Sequence, residues 1–126
     1  MVGGGEGAFI GEVHRIAARI DNHSELVAGA FSSDSVRSIR FGTILGLSED
    51  RCYENYNKMA SKEIVREETI EAVVIVTPNH LHLHITEVFL KAGNHVICDK
   101  PLSAKLEEAY SFANFARQTK KIFAVT

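Results

Sequence analysis

Ala72-Val73-Val74-Ile75-Val76-Thr77-Pro78-Asn79 decides the fold. An unbroken apolar run, mostly β-branched, stops at a Thr-Pro-Asn turn. Because the run is continuous rather than alternating, both faces of the strand are apolar, which suits a strand buried on both sides in a parallel sheet. On its C-terminal side, Leu81, Ile85, Val88, Phe89 and Ala92 recur at helical spacing, and Gly93 suits the left-handed residue just past a helix end. Asn79 is placed to cap that helix. A second apolar run, His95-Val96-Ile97-Cys98, stops at Asp99-Lys100-Pro101. Leu106, Ala109, Ala113 and Ala116 form another helical stripe, with Ser103 where an N-cap oxygen would satisfy orphan amides. A third run, Ile122-Phe123-Ala124-Val125-Thr126, follows it.

The same alternation extends toward the N-terminus. Leu26-Val27-Ala28-Gly29-Ala30-Phe31 is an apolar run that ends at Ser32-Ser33-Asp34. Ile10, Val13, Ala17 and Ile20 make one apolar stripe ahead of it. Weaker helical patterns cover 34–45 and 55–66, and a very short edge strand is read at Cys52-Tyr53. Strands that alternate with helices imply an α/β fold: a doubly wound parallel sheet, a Rossmann fold with helices on both faces. A (β/α)8 barrel needs about 250 residues and does not fit. With 126 residues, no repeat, no low-complexity tract and no linker, residues 1–126 read as one domain.

Composition narrows the function. Apolar residues make up 45% and charged residues 24%, and the net charge is −2, so the chain is an ordinary folded protein rather than a disordered one. Its basic residues are dispersed, which argues against a nucleic-acid surface. No apolar run approaches the roughly 20 residues a membrane-crossing helix needs, and no basic and apolar leader opens the chain. Cys52 and Cys98 form no CxxC pair and read as buried free thiols in a reducing compartment, so the cytoplasm is the expected location.

Each strand end carries a chemical signal, and ligands of open α/β sheets bind beyond the carboxyl ends of the strands. Gly3-Gly4-Gly5-Glu6-Gly7-Ala8-Phe9-Ile10-Gly11 precedes the first helical stripe. Glycines permit positive φ and close approach of backbone amides to an anion, and the helix that follows supplies free N–H groups and a positive dipole end. A pyrophosphate is the usual guest. Gly3-x-Gly5-x-x-Ala8 fits the dinucleotide fingerprint directly. The preferred alternative has Gly3 and Gly5 make the turn, with Gly11 as the helix-packing glycine after an insertion. No Gly-Lys-Ser/Thr follows, so this is not a Walker loop.

The second signal should be a carboxylate that ends the second strand and holds the ribose diol. None stands there; Ser32 and Ser33, helped by Arg37 or Arg40, would instead take a 2′-phosphate. NAD and NADP both stay open, as does the reading that 32–34 only caps the next helix. At the third strand end, His80, His82 and His84 raise the question of a metal, but no Cys, Asp or Glu cluster accompanies them and no metal site is assigned. At the fourth, Lys100 is half sheltered beside Asp99, where an amine can exchange a proton with a substrate hydroxyl.

The motifs Val2-Gly3-Gly4-Gly5 with Ile10-Gly11-Glu12-Val13-His14, Thr77-Pro78-Asn79-His80-Leu81-His82 and Asp99-Lys100-Pro101-Leu102 give the chain its likeness to a known family. Over its whole length it resembles the N-terminal domain of the Gfo/Idh/MocA oxidoreductases. Asp99 stands where the family usually has Glu. The resemblance implies that Lys100 is the active-site lysine ordering the substrate hydroxyl. Gly3, Gly5, Phe9 and Ile10 would line the pyrophosphate, and Ser32, Ser33 and Arg37 the adenosine side. Thr77, Pro78, Asn79, His82 and Asp99 would flank the nicotinamide side. The implied reaction is hydride transfer between NAD or NADP and a sugar or polyol. Family members carry a second α/β domain that supplies the substrate pocket and an acid–base partner. It is absent from this chain, which is therefore expected to bind a dinucleotide without turning over substrate. The oligomeric state is left open. The alternative is a non-catalytic dinucleotide-sensing or scaffold domain on the same fold.

Overall fold

The computed structural model describes residues 1–126, which divide into two compact units, Met1–Met59 and Ala60–Thr126. In chain order the elements are β1 (Val2–Gly3), α1 (Phe9–Ala17), α2 (Ser35–Ile44), a 3-10 turn (Glu49–Arg51), α3 (Tyr56–Glu63), β2 (Ala72–Val76), a second 3-10 turn (Asn79–Leu81), α4 (His82–Lys91), β3 (His95–Cys98), α5 (Leu106–Gln118) and β4 (Phe123–Val125). This is the alternation expected of the α/β class, and the strand pairs described below are parallel.

In the first unit the pairing is brief. Val2 bridges Ala30 and Gly29 bridges Cys52, both in parallel. Gly3 N donates to Ala30 O at 2.9 Å, Ala30 N to Met1 O at 3.0 Å, and Tyr53 N to Gly29 O at 2.8 Å. The apolar run from Leu26 thus contributes only its last residues to a sheet. Beyond Ala30 a side chain takes over. Ser38 of α2, fully buried, accepts from Phe31 N at 2.8 Å and donates to Tyr53 O at 2.6 Å. One hydroxyl takes the place of the next ladder bonds. α2 comes close because Gly42 faces Cys52, where a Cβ would lie 2.5 Å from Sγ. Asp34 caps α2, its carboxylate accepting from Arg37 N at 2.8 Å.

In the second unit β2, β3 and β4 form a parallel sheet in the register Val73↔Val96 and Ile75↔Cys98, then Val96↔Phe123 and Cys98↔Val125. α4 packs on this sheet through Ile85 and Phe89, both fully buried like Val73, Ile75 and Val96. α4 ends as its glycine predicts. Gly93 has φ 86°, Gly93 N donates to Leu90 O and Asn94 N to Phe89 O, the paired bonds of a Schellman motif.

Several expectations need correction. Asn79 does not cap α4: it opens the 3-10 turn that precedes the helix, and α4 starts at His82 without a side-chain cap. Ser103 lies too early to cap α5, whose N-cap is Lys105. Its hydroxyl instead accepts from Lys105 N at 3.1 Å and donates to Glu108 at 2.9 Å. The stripe on α1 does not face inward. Val13 and Ile20 are exposed, and the buried residue of the helix is Gly11. The apolar strands are not all buried on both faces: Val74 and Ile97 are half-buried, and β4, whose partner in this unit is β3, leaves Ala124 and Val125 exposed.

Candidate functional site

Within the first unit the candidate site is the turn between β1 and α1. Gly3 and Gly4 take left-handed φ values of 80° and 68°, which a side chain would strain. A Cβ on Gly5 would lie 2.6 Å from Phe31 O, and one on Gly11 would lie 2.4 Å from Gly4 Cα. Backbone therefore meets backbone at both places, and Gly11 is the glycine through which α1 touches the turn. The helix begins at Phe9, and its N-cap, Ala8, offers no side-chain acceptor. The first amides of α1 thus stay open at the positive end of the helix, a donor set that fits a pyrophosphate. Phe9 is exposed at the start of the helix and Ile10 is half-buried.

Two residues given no role in the sequence reading shape this turn. Gly4 is buried, and its carbonyl accepts from Arg15 Nη1 at 2.9 Å. The Arg15 guanidinium also lies over the Phe41 ring, 5.4 Å from its centroid. Burial pushes the Arg15 pKa down from its ordinary value, and Glu12 opposes that shift. The triple glycine was a signal for Gly4. Arg15 gave none, because a cation one turn into a helix is commonplace.

The loop after the second apolar run behaves partly as a cap. Ser32 Oγ accepts from Asp34 N at 3.1 Å and Asp34 holds the start of α2. The Ser33 and Arg37 side chains are exposed.

Within the second unit, the register Ile75↔Cys98 sends the loops after β2 and β3 out side by side, and Asp99 N donates to Ile75 O at 2.9 Å. These loops bring together Thr77, Pro78, Asn79, Asp99 and Lys100, with His82 beneath them. Pro78, Asn79 and Lys100 are exposed, so Lys100 is not half sheltered as its strand-end position suggested. β3 stops at Cys98, and by Lys100 the chain has left the sheet. The Lys100–Pro101 peptide is cis. Asp99 Oδ1 accepts from Thr126 Oγ1 at 3.2 Å. Thr77 Oγ1 is buried with no hydrogen-bond partner in the protein, the kind of atom a bound polar ligand would satisfy. His82 is 1% exposed, and its ring nitrogens lie 2.8 Å from Pro101 O and 2.8 Å from Thr77 O.

The two thiols are buried and unpaired. Burial pushes Cys98 up to about 11, with the neighbouring Thr86 hydroxyl opposing that shift and the nearby Asp99 adding to it. Cys52 is raised too, first by burial. No group of three or more His, Cys, Asp or Glu side chains is placed to hold a metal ion. No helix is long and apolar enough to cross a membrane.

Comparison with known proteins adds to this geometry. The family described as "Oxidoreductase family, NAD-binding Rossmann fold" (GFO_IDH_MocA) matches residues 1–126. The chain is 44% identical to the oxidoreductase YfiI of Bacillus subtilis (strain 168) over 127 residues, covering 100% of this chain and 32% of that protein. Among solved structures, an oxidoreductase from Sinorhizobium meliloti superposes with a TM-score of 0.93 at 50% identity, covering 100% of this chain and 35% of that one. An inositol dehydrogenase homologue from Azotobacter vinelandii, complexed with NADH and myo-inositol, superposes with a TM-score of 0.95 at 44% identity, covering 100% of this chain and 33% of that one. The chain thus spans about a third of the length of these relatives.

Proposed function

The chain belongs to the Gfo/Idh/MocA oxidoreductase family, as its NAD-binding Rossmann domain, and from that premise we propose that it is the cofactor-holding part of an enzyme that moves a hydride between NAD or NADP and a sugar or polyol. The observation that carries the reading is the side-by-side emergence of the Thr77-Pro78-Asn79 and Asp99-Lys100-Pro101 loops from neighbouring parallel strands. In the first unit the turn at Gly3 to Gly5 and the open amides of α1 would hold the pyrophosphate, and Ser33 and Arg37 would reach the adenosine ribose. In the second, Thr77 Oγ1 would donate to the nicotinamide side. The bound nicotinamide supplies the two-electron exchange. Lys100 Nζ would donate to the substrate hydroxyl oxygen and hold that C–OH in line for transfer. The family resemblance and the relatives named for inositol dehydrogenase, scyllo-inositol 2-dehydrogenase and 1,5-anhydro-D-fructose reductase support a polyhydroxylated substrate. The buried free thiols suit the cytoplasm.

Parallel titrations with NADH and NADPH test the proposal. The purified chain should bind at least one of them and show no steady-state oxidation of myo-inositol. Lys100→Ala should leave that affinity within about twofold, since an exposed amine aimed at substrate contributes little to cofactor binding. In a chimera carrying the remaining part of the Azotobacter vinelandii relative, the same change should abolish turnover. No binding of either dinucleotide, or unchanged turnover in the chimera, refutes the reading.

A further inference from the structure

The carbonyl of Gly4 is held from the side of α1. In a planar trans peptide the C=O of one residue and the N–H of the next point in opposite directions. The Gly4–Gly5 peptide is trans, since the cis bond of the chain lies at Lys100–Pro101. Gly4 O accepts from Arg15 Nη1 at 2.9 Å, which turns the Gly5 N–H away from that guanidinium. No backbone carbonyl of the protein accepts from the Gly5 N–H, so it stands with the open amides of α1 as a donor left for a ligand. We propose that Arg15 is a positioning residue: by holding the Gly4 carbonyl it fixes the Gly4–Gly5 peptide with its N–H presented to the cofactor pyrophosphate.

The helix sets up this contact. Arg15 follows Gly11 by four residues, so the two share a face of α1, and a helical side chain leans toward the N-terminal end. The arginine therefore leans back over Gly11 to reach the turn. A Cβ on Gly11 would lie 2.7 Å from Gly4 O, the atom that the guanidinium takes. Two further contacts hold the guanidinium in place: the Phe41 ring, with its centroid 5.4 Å away, and Met1 Sδ, 3.7 Å from Nη1. The turn has reason to be held. Gly3 and Gly4 both take positive φ, and glycines visit either sign of φ readily. A peptide turned over here would aim a carbonyl oxygen at the phosphates where an N–H should be. Arg15 removes that freedom with a charge-assisted hydrogen bond and acts through the peptide, not by touching phosphate. The role in binding rests on the pyrophosphate site of the function proposed above, whereas the hold on the peptide does not.

Arg15→Met keeps an unbranched stem and removes the donor. Titrated with whichever of NADH and NADPH the parent chain binds, it should show an affinity about tenfold lower, since a peptide no longer held is competent for only part of the time. Arg15→Lys, which can still donate to Gly4 O, should recover most of that loss. The loss should be equal at about 0.05 and about 0.5 M NaCl, because salt screens a direct attraction between cation and phosphate and does not screen a held peptide. In 15N NMR of the parent chain the Gly5 amide should be one sharp signal that moves downfield when the dinucleotide is added, and in Arg15→Met it should broaden or double. A folded Arg15→Met with the parent's affinity, or a loss that vanishes at high salt, overturns the inference. So does a parent Gly5 amide unmoved by bound dinucleotide, a readout that needs no variant. If the parent binds neither dinucleotide, the functional reading falls. The hold on the peptide is then upheld by a Gly5 signal that is single in the parent and broadened or doubled in the variant, and overturned by one that is the same in both.

Discussion

At position 11 no side chain fits: a Cβ there would lie 2.4 Å from the Cα of Gly4. The fingerprint glycine is therefore a packing requirement before it is a ligand requirement, since α1 can begin beside the turn only if two backbones touch. Cys98 shows the same intimacy in its chemistry. Its thiol titrates at about 11 in the fold against an ordinary value of 9.0, so the unfolded chain gives up this proton first as pH rises. The stability held by the neutral, buried thiol is complete below about pH 9 and is lost as pH climbs toward 11. Thermal melts across that window should show a falling melting temperature, with a shallower fall in Cys98→Ala than in the parent chain. Equal slopes in the two proteins would show that the thiol is not the group responsible.

Among the elements, α2 does unusual work for a helix. Its Ser38 hydroxyl bridges Phe31 N and Tyr53 O, two backbone groups that a longer sheet would have paired with each other's strands. Ser38→Ala removes from a buried place the hydroxyl that both groups use. It should lower the unfolding free energy by about 2 kcal/mol, within the usual cost of stranded buried polar groups. Urea denaturation measures this, and a loss below about 0.5 kcal/mol would mean that water enters to replace the hydroxyl. α1 makes the opposite point. Its buried residue is a glycine, and Val13 and Ile16 are left exposed.

Across the whole chain, the class of fold and the order of its strands were legible because buried strands and Gly-punctuated helices write themselves in runs and periods. Gly93 predicted the end of α4, since a left-handed residue suits the position just past a helix end. The sites where the runs end were legible too, because turn formers mark them. What the sequence withheld is where a single side chain overrides a pattern. Nothing in Leu26 to Phe31 shows that the sheet stops early, since the cause is a serine on a later helix. The periodicity of α1 cannot reveal that its one buried residue is a glycine. Asn79 and Ser103 are capping residues by type, yet a 3-10 turn and a two-residue offset moved both helix starts past them. The environment of His82 was likewise hidden, because its partners are main-chain atoms that every sequence possesses.

The serine bridge of α2 also sets a clock. The Phe31 amide lies outside any named strand or helix, where deuterium would ordinarily replace hydrogen within moments of dilution into heavy water. Its proton is instead locked to a fully buried oxygen, and its exchange must await the opening of the surrounding core. In mass spectrometry or NMR, this amide should be among the last of the Met1–Met59 unit to take up label, reporting on that unit's global unfolding from a position that secondary structure alone would mark as loose.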